Sequence, residues 1–336
     1  MPDEIDWGSL THAYGPATDT PGHLAALTSA DVDAQNAALD HLDAAVLHQG
    51  FPESATAPAT RVVARLLAEG RVSPRVRVAL VEFIGWVAEA TVRSAGSTHF
   101  EGLVGPLRQA ITESYPVVAG FLDDADPALR RWAVLAAVSC VKTPAPADRR
   151  AALAARLRRW ADDPSEDRAQ WVRQLGELGA DTEPYLADPD HDVRVCAALA
   201  PRAAADATAT SVLIAALADA ADHGVADAAP YTLSELIAVV LARVDDFALI
   251  AAPAGTIVRH ADWTGFDTTW GPLLLAAFST PYDEQAGLSA TQRDVLAAAV
   301  ANARLWDSRI GNSLLVFRKA GLPFDRTACA RIADRP

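Results

Sequence analysis

Short alanine-rich segments with a helical spacing of apolar residues recur along this 336-residue chain, and they constrain its fold more than any other feature. Alanine, which has the highest helix propensity, occurs 72 times. In segment 76–92, apolar side chains recur every three or four residues, the spacing of one helix face. The segments end at Pro, Gly or Asp-Pro, and helices this short are stable only when they pack on neighbours. We find no alternating pattern that predicts strands.

These segments predict consecutive helix pairs. We expect first helices to begin near Asp31, Pro74, Pro127, Ser165, His191, Pro230 and Asp267. We expect second helices to begin near Pro58, Thr98, Asp148, Thr210, Asp245 and Ala290, with a last short pair over 311–332. A long series of short helix pairs is typical of an α-solenoid.

One motif recurs in the first two thirds of the chain: Asp-Pro, a short polar stretch, and then apolar-Arg-x-x-Ala. Its copies lie at 126–138, 188–200, 73–85, 163–179 and, more weakly, 30–42. In this motif the chain resembles the HEAT-repeat family, in particular the short bacterial HEAT-like repeats. The resemblance implies that the Asp caps the first helix and that the Pro occupies its first turn, which agrees with the preferences of both residues.

The N-terminal segment carries a second resemblance. Tyr-Gly-Pro-Ala-x-Asp-x-Pro at 14–21, His-Gln-Gly at 48–50 and Ala-Thr-Ala-Pro at 55–58 are similar to the first repeat of a group of actinobacterial HEAT-repeat proteins. This resemblance implies a fold and no assigned chemistry. We therefore predict an all-α protein that is one elongated, right-handed α-solenoid over 1–336. Its predicted parts are an N-terminal cap at 1–30, HEAT-like repeats at 31–222, and degenerate helical repeats with a C-terminal cap at 223–336.

The net charge of −14 is unevenly distributed. Residues 1–60 contain nine acidic and no basic residues, and 174–302 contain 18 acidic and five basic residues. Segments 142–173 and 303–336 are weakly basic, at +3 and +4. An isoelectric point of about 4.9 argues against a typical nucleic-acid-binding protein, although a local basic patch is compatible with it. The acidic blocks instead predict a partner with a basic surface.

The histidines near the N-terminus are the first candidates for chemistry. Three residues, Tyr14, His48 and Gln49, have two interpretations. They line a pocket for a small molecule or a partner, or they cap the first repeat and order the N-terminal loop. His12, His41 and His48 could meet, and Asp40 and Asp43 flank His41. His41 and His48 share a helix face but lie about 10 Å apart, too far for one metal ion without ligands from other segments. We predict no metal site and no cofactor.

Two further groups are candidate binding surfaces. A glycine-containing loop carries aromatic side chains that either anchor a partner or cover a short repeat: Trp263, Phe266 and Trp270. One predicted helix carries a possible anion or nucleic-acid patch, whose arginines alternatively pair with acidic residues of adjacent helices: Arg149, Arg156, Arg159 and Trp160.

Motifs for catalysis are absent from the sequence. GxSxG, GxGxxG and GxxxxGK[ST] do not occur, which argues against the enzyme classes that need them. The three cysteines, Cys140, Cys196 and Cys329, form no CxxC motif and fit buried packing positions in a reducing cytoplasm. Neither a secretory signal nor an apolar run long enough to span a membrane is present, so we expect a cytoplasmic protein.

The function that these patterns favour is non-catalytic binding of another protein on a concave face. Two alternatives come from other classes. One is a HEAT-like DNA-repair protein of the alkylpurine glycosylase type, acting through the arginine-rich helix. The other is a HEAT-like small-molecule enzyme or lyase, of the kind that attaches bilin pigments, with a deep pocket at His48 or Tyr14.

Overall fold

A computed structural model describes residues 5–143, 147–306 and 311–335. These residues form sixteen α-helices, several short 3-10 turns and one small hairpin. The predicted all-α class is confirmed. Contacts group the chain into two compact units, residues 1–156 and 157–336. None of the helices in the described ranges has both the length and the apolar character that crossing a membrane requires.

The first unit contains the hairpin and six complete helices. The hairpin strands are β1 (Thr11–His12) and β2 (Gly15–Pro16). The helices are α1 (Thr20–Ala26), α2 (Val32–His41), α3 (Thr56–Ala68), α4 (Pro74–Ser94), α5 (Glu101–Ala119) and α6 (Pro127–Lys142), and the boundary between the units falls within α7 (Ala147–Ala161). A single π-helical turn, Leu42–Val46, continues α2.

Helices of the first unit pack on the next helix and on the next but one. Helix α3 contacts α4 and α5, and α4 contacts α5 and α6. Helices α4 and α6 approach closely, because a Cβ atom added to Gly85 would lie 3.2 Å from both the Cα and the Cβ of Ala136. Small residues at this contact let the two backbones approach, which explains part of the alanine excess. The fully buried Leu80, Ile84 and Ile111 form the centre of this core.

The second unit follows the same packing pattern. Its helices are α8 (Arg168–Glu177), α9 (His191–Leu199), α10 (Ala207–His223), α11 (Leu233–Arg243), α12 (Ala251–His260), α13 (Trp270–Ala277), α14 (Ala290–Ala301), α15 (Gly311–Lys319) and α16 (Arg326–Ala333). Helices α10, α12, α14 and α16 contact one another in series, and so do α11, α13 and α15. Its core contains the fully buried Leu217, Leu236 and Trp270.

Most of the predicted helix starts are close to the observed ones. Helices α2, α4, α6 and α14 begin within one residue of the predicted positions. The implied cap is present at Asp126, whose Oδ1 accepts hydrogen bonds from the amides of Ala128 and Leu129 at 2.9 and 3.4 Å, with Pro127 in the first turn. Such a cap stabilises a helix by about 1 kcal/mol.

The other Asp-Pro motifs act differently. Helix α9 is capped by Asp190 instead of Asp188, and α8 by Asp167 instead of Asp163. Asp188 forms an ion pair with Arg168, with N–O distances of 2.5 and 3.2 Å. The implied position of the cap is therefore wrong by two residues in α9 and by four in α8.

The N-terminal segment contains more regular structure than predicted. Strands β1 and β2 pair antiparallel, although no strand was predicted, because two-residue strands are too short to show a period. Gly15, with φ +130°, takes a turn conformation that other residues rarely adopt. The amide of Ala13 donates to the carbonyl of Ala45 at 3.0 Å, which ties the hairpin to the π-helical turn.

Candidate functional site

Three polar side chains from separate segments meet beside the N-terminal hairpin. His12 comes from β1, Asp19 from the residue before α1, and His41 from the end of α2. Nε2 of His12 donates a hydrogen bond to Oδ1 of Asp19 at 3.0 Å. One ligand atom of each of the three side chains lies within 4.8 Å of those of the other two. We call this group the His12 cluster.

The two imidazoles of the His12 cluster are buried, whereas its carboxylate is open. His12 and His41 are 7% and 9% exposed, and the side chain of Asp19 is 55% exposed. The buried hydroxyl of Thr20 forms a 2.9 Å hydrogen bond with Nε2 of His41 and so fixes the orientation of that ring. The ring of His23 stacks on the same His41 ring, with the two ring centroids 4.1 Å apart.

The protonation states of the His12 cluster follow from these contacts. Burial lowers the pKa of His41, and the charge of the stacked His23 lowers it further, so the neutral ring is favoured. Burial raises the pKa of Asp19, but the hydrogen bond from His12 and the charge of His41 outweigh this, and its net pKa is lowered. At neutral pH the cluster therefore holds the Asp19 carboxylate and the neutral imidazole of His41.

The predicted Tyr14, His48 and Gln49 group is only partly assembled. The hydroxyl of Tyr14 lies 3.5 Å from Nδ1 of His48, and the two rings meet edge to face at 5.6 Å. Nδ1 of His48 also lies 2.8 Å from the carbonyl of Ala44. Gln49 has a positive φ of 52° and lines a cavity of about 260 Å³, in which neither Tyr14 nor His48 is a lining residue.

That cavity is one half of a groove between α2 and α4. A second cavity, of about 190 Å³, shares Asp43 and Trp86 with it. The indole of Trp86 is 39% exposed. We call the two cavities together the Trp86 groove; besides Trp86, its polar and charged lining is Asp40, Asp43, Gln49, Glu82, Glu89 and Arg93.

The Trp86 groove has more negative than positive charge. Arg93, its one cationic lining residue, already lies 3.8 Å from Glu89 and donates to the carbonyl of Gly50. Within the described ranges, Asp40, Asp43 and Glu82 form no ion pair. Burial raises the pKa of Glu82, and the negative charge of Asp43 raises it further. Three carboxylates without a counter-ion thus surround a half-exposed indole.

A larger hollow, of about 410 Å³, lies at the start of α5. It is lined by Ser97, Thr98, Glu101 and Arg108 together with glycines and a valine. One acidic and one basic side chain leave it without a net charge, and it contains no aromatic ring. Its size alone does not favour a particular ligand.

Two arginines of α7, Arg149 and Arg156, form contacts with other residues of the protein. Nη1 of Arg149 donates to the carbonyl of Thr112 at 3.3 Å, and its guanidinium lies 4.8 Å from the ring centroid of Tyr115. Arg156 forms a 2.9 Å ion pair with Asp123.

The remaining two residues of the predicted patch differ in exposure. Arg159 is exposed, whereas Trp160 is half-buried and lies 5.2 Å from the ring of Trp171. The alternative interpretation of this patch was that its arginines pair with acidic residues. The ion pair of Arg156 with Asp123 is such a contact.

The predicted aromatic loop separates into a surface residue and a core residue. Trp263 is half-exposed on a 3-10 turn that begins after Asp262. Trp270 is fully buried, packs against Phe317 and donates from Nε1 to the carbonyl of Trp263 at 3.3 Å. Phe266 is half-buried. Of these three aromatic residues, Trp263 is the most exposed to solvent.

All three cysteines are buried, as predicted. Burial raises the pKa of Cys140 and of Cys329 to about 12 and raises that of Cys196 further. Thiols with raised pKa values form little thiolate at neutral pH and are poor nucleophiles. These residues are packing residues.

Two features of this region were missed from the sequence. The Trp86 groove depends on the packing of α2 against α4, and only the spacing of Asp40 with Asp43 and of Glu82 with Trp86 pointed to shared helix faces. The His12 cluster joins residues that are up to 29 positions apart; the sequence suggested that His12 and His41 could meet, but Asp19 was missed.

Comparison with known proteins identifies no family for this chain. No protein-family model matches the chain, and no curated protein gives a significant match to it.

Proposed function

We propose that this protein is a non-catalytic binding protein that takes a Lys- or Arg-rich segment of a partner protein into the Trp86 groove. The observation that carries the proposal is the charge imbalance of the groove: Asp40, Asp43 and Glu82 surround Trp86 without a counter-ion. A cationic side chain of a partner supplies the missing positive charge.

The aromatic ring gives the groove a preference for cations with an apolar stem. A Lys or Arg head group above an indole face gains about 0.5–2 kcal/mol from the ring quadrupole. Its methylene stem packs on apolar residues of the groove, Leu39, Leu42 and Phe83. Because the surrounding carboxylates attract basic segments over a distance, they also increase the association rate.

The helix packing supports the HEAT-like part of the proposal. Most helices for which contacts are described touch the next helix, the next but one, or both, and this is the packing of stacked helix pairs. The motif that begins at Asp126, with its cap and its proline in the first turn, fits that family. We infer that the helix pairs are HEAT-like repeats and that the groove lies on a repeat surface used for protein binding.

The DNA-repair alternative has less support than protein binding. Arg149 and Arg156 hold contacts within the protein, and a phosphate backbone would have to compete with these contacts. The lyase alternative needs a deep pocket at Tyr14 or His48, and the cavity nearest to them in sequence is lined by Gln49 instead.

A direct test measures the binding of a fluorescent arginine-rich peptide to the full chain by anisotropy. We expect saturable binding that weakens at least tenfold in the triple variant Asp40→Asn, Asp43→Asn and Glu82→Gln. The control variant Asp222→Asn, Asp227→Asn and Asp267→Asn removes the same number of charges from exposed positions in the second unit. Equal loss of affinity in the two variants means non-specific attraction to an acidic protein and refutes the proposal.

A further inference from the structure

The His12 cluster brings together the donor set of a metal site. Its three side chains offer two imidazole nitrogens and one carboxylate oxygen, from a strand, a helix start and a helix end. Two histidines and a carboxylate are a ligand set of catalytic zinc sites and of other divalent transition metals. The cluster shares no residue with the Trp86 groove.

We propose that His12, Asp19 and His41 bind one divalent transition-metal ion, of the class of Zn²⁺. Ligand atoms at about 2.0–2.2 Å from a tetrahedral ion lie about 3.3 Å from each other. The His12–Asp19 distance of 3.0 Å already meets this spacing, and all three ligand atoms lie within 4.8 Å.

The burial pattern also fits a metal ion. The two imidazoles are held by the fold, which gives a rigid pair of ligands, and the half-exposed Asp19 leaves a path from solvent. Imidazole ligands favour zinc, copper, nickel and iron over Mg²⁺ and Ca²⁺, which prefer oxygen. The three cysteines are buried and do not compete for an added ion in the folded protein.

The hydrogen bonds of His12 determine what metal binding must change. The amide of Tyr14 donates to Nδ1 of His12 at 3.1 Å, so the metal-free ring carries its proton on Nε2 and donates it to Asp19. A metal ion on Nε2 takes the place of that proton, and a neutral ring then carries its proton on Nδ1. Metal binding therefore breaks the bond from the Tyr14 amide and alters the hairpin turn.

The test is isothermal titration of the full chain with Zn²⁺ at pH 7.5, with Mg²⁺ in parallel. We expect one Zn²⁺ per chain and no saturable binding of Mg²⁺. The variant Asp19→Asn keeps an oxygen that accepts the hydrogen bond of His12 but lacks the negative charge, and we expect its Kd for Zn²⁺ to rise at least tenfold. The control His223→Gln changes an exposed histidine paired with Asp219 and should leave the Kd unchanged.

A second readout separates binding at this cluster from binding elsewhere. In ¹H–¹⁵N spectra, saturating Zn²⁺ should shift the amide resonance of Tyr14 strongly, because that amide loses its acceptor. His41→Gln keeps a hydrogen-bond partner for Thr20 and should abolish the shift; thermal unfolding of each variant without metal checks that it folds. Absence of saturable Zn²⁺ binding by the wild-type chain overturns the proposal. So does an affinity for Zn²⁺ in Asp19→Asn and His41→Gln that equals that of the wild-type chain.

Discussion

Nε2 of His12 lies 3.0 Å from Oδ1 of Asp19, and this bond joins the N-terminal hairpin to the start of α1. His41 extends the connection to the end of α2, through its contact with Thr20 and its position beside the ring of His12 at 5.3 Å. Ionisable side chains thus join the first turns of the chain. Their stability must depend on pH.

His41 makes that dependence predictable. Its pKa in the folded protein is lower than the ordinary value of 6.5, because of burial and the adjacent His23. The unfolded chain therefore binds more protons in the pH range at and below 6.5, and stability falls as the pH is lowered through it. We expect the Tm to fall between pH 7.5 and pH 5.5, and this fall to be smaller in His41→Gln. If the Tm of His41→Gln fell by the same amount, other titratable groups would account for the pH dependence.

The contact between Gly85 and Ala136 predicts the effect of adding volume between α4 and α6. A Cβ atom at Gly85 would be 3.2 Å from two Ala136 atoms, and the further methyl groups of Gly85→Val find no space. We expect a loss of about 1–3 kcal/mol in the free energy of unfolding, measured by urea denaturation.

Gly255 is the control for that prediction. It lies within α12, is not followed by a proline, and a Cβ atom there would meet no atom outside its own helical turn within 4 Å. Gly255→Ala should therefore stabilise the protein by about 0.5–1 kcal/mol, because it removes backbone freedom from the unfolded chain. A gain in stability from Gly85→Val would show that α4 and α6 do not pack as closely as described.

The ion pair between Arg168 and Asp188 predicts a larger effect than surface pairs give. Both side chains are largely buried, and the hydrogen bond from Arg168 lowers the pKa of Asp188. Asp188→Asn leaves the guanidinium without its counter-charge, and we expect a loss of about 1–3 kcal/mol. Asp123→Asn removes the partner of Arg156 at an exposed position and should cost at most about 1 kcal/mol. Chemical denaturation of both variants measures the two losses in the free energy of unfolding. Equal losses would contradict the claim that the Arg168–Asp188 pair stabilises the fold more than a surface ion pair does.

Much of the fold was predictable because helix signals are local. Asp31 and Asp126 cap helices through amides two and three residues away, and the apolar spacing of α4 is complete within its own sequence. Asp188 was misplaced because its partner, Arg168, lies 20 residues earlier. A local pattern cannot tell a helix cap from one half of such a pair.

The sites were predictable only as charge and composition. The nine acidic residues of 1–60 predicted an acidic surface, but the approach of Asp43 to Glu82 follows from the packing of α2 on α4. Trp86 falls within an apolar helix pattern, which favoured a core position, and the structure leaves it half-exposed. His12, His41 and His48 were considered together for a metal ion, whereas the structure brings Asp19, and not His48, to His12 and His41.

The most direct test of the proposed function is ¹⁹F NMR of the full chain labelled with 5-fluorotryptophan and titrated with an arginine-rich peptide. The chain has eight tryptophans, and Trp86→Phe assigns the resonance of Trp86. We predict that this resonance shifts as peptide is added and that its titration curve gives the Kd measured by anisotropy. The resonance of the buried Trp270 should stay unchanged. A Trp86 resonance that does not move while the peptide binds, or a shift confined to Trp263, would contradict the assignment of the Trp86 groove as the binding site.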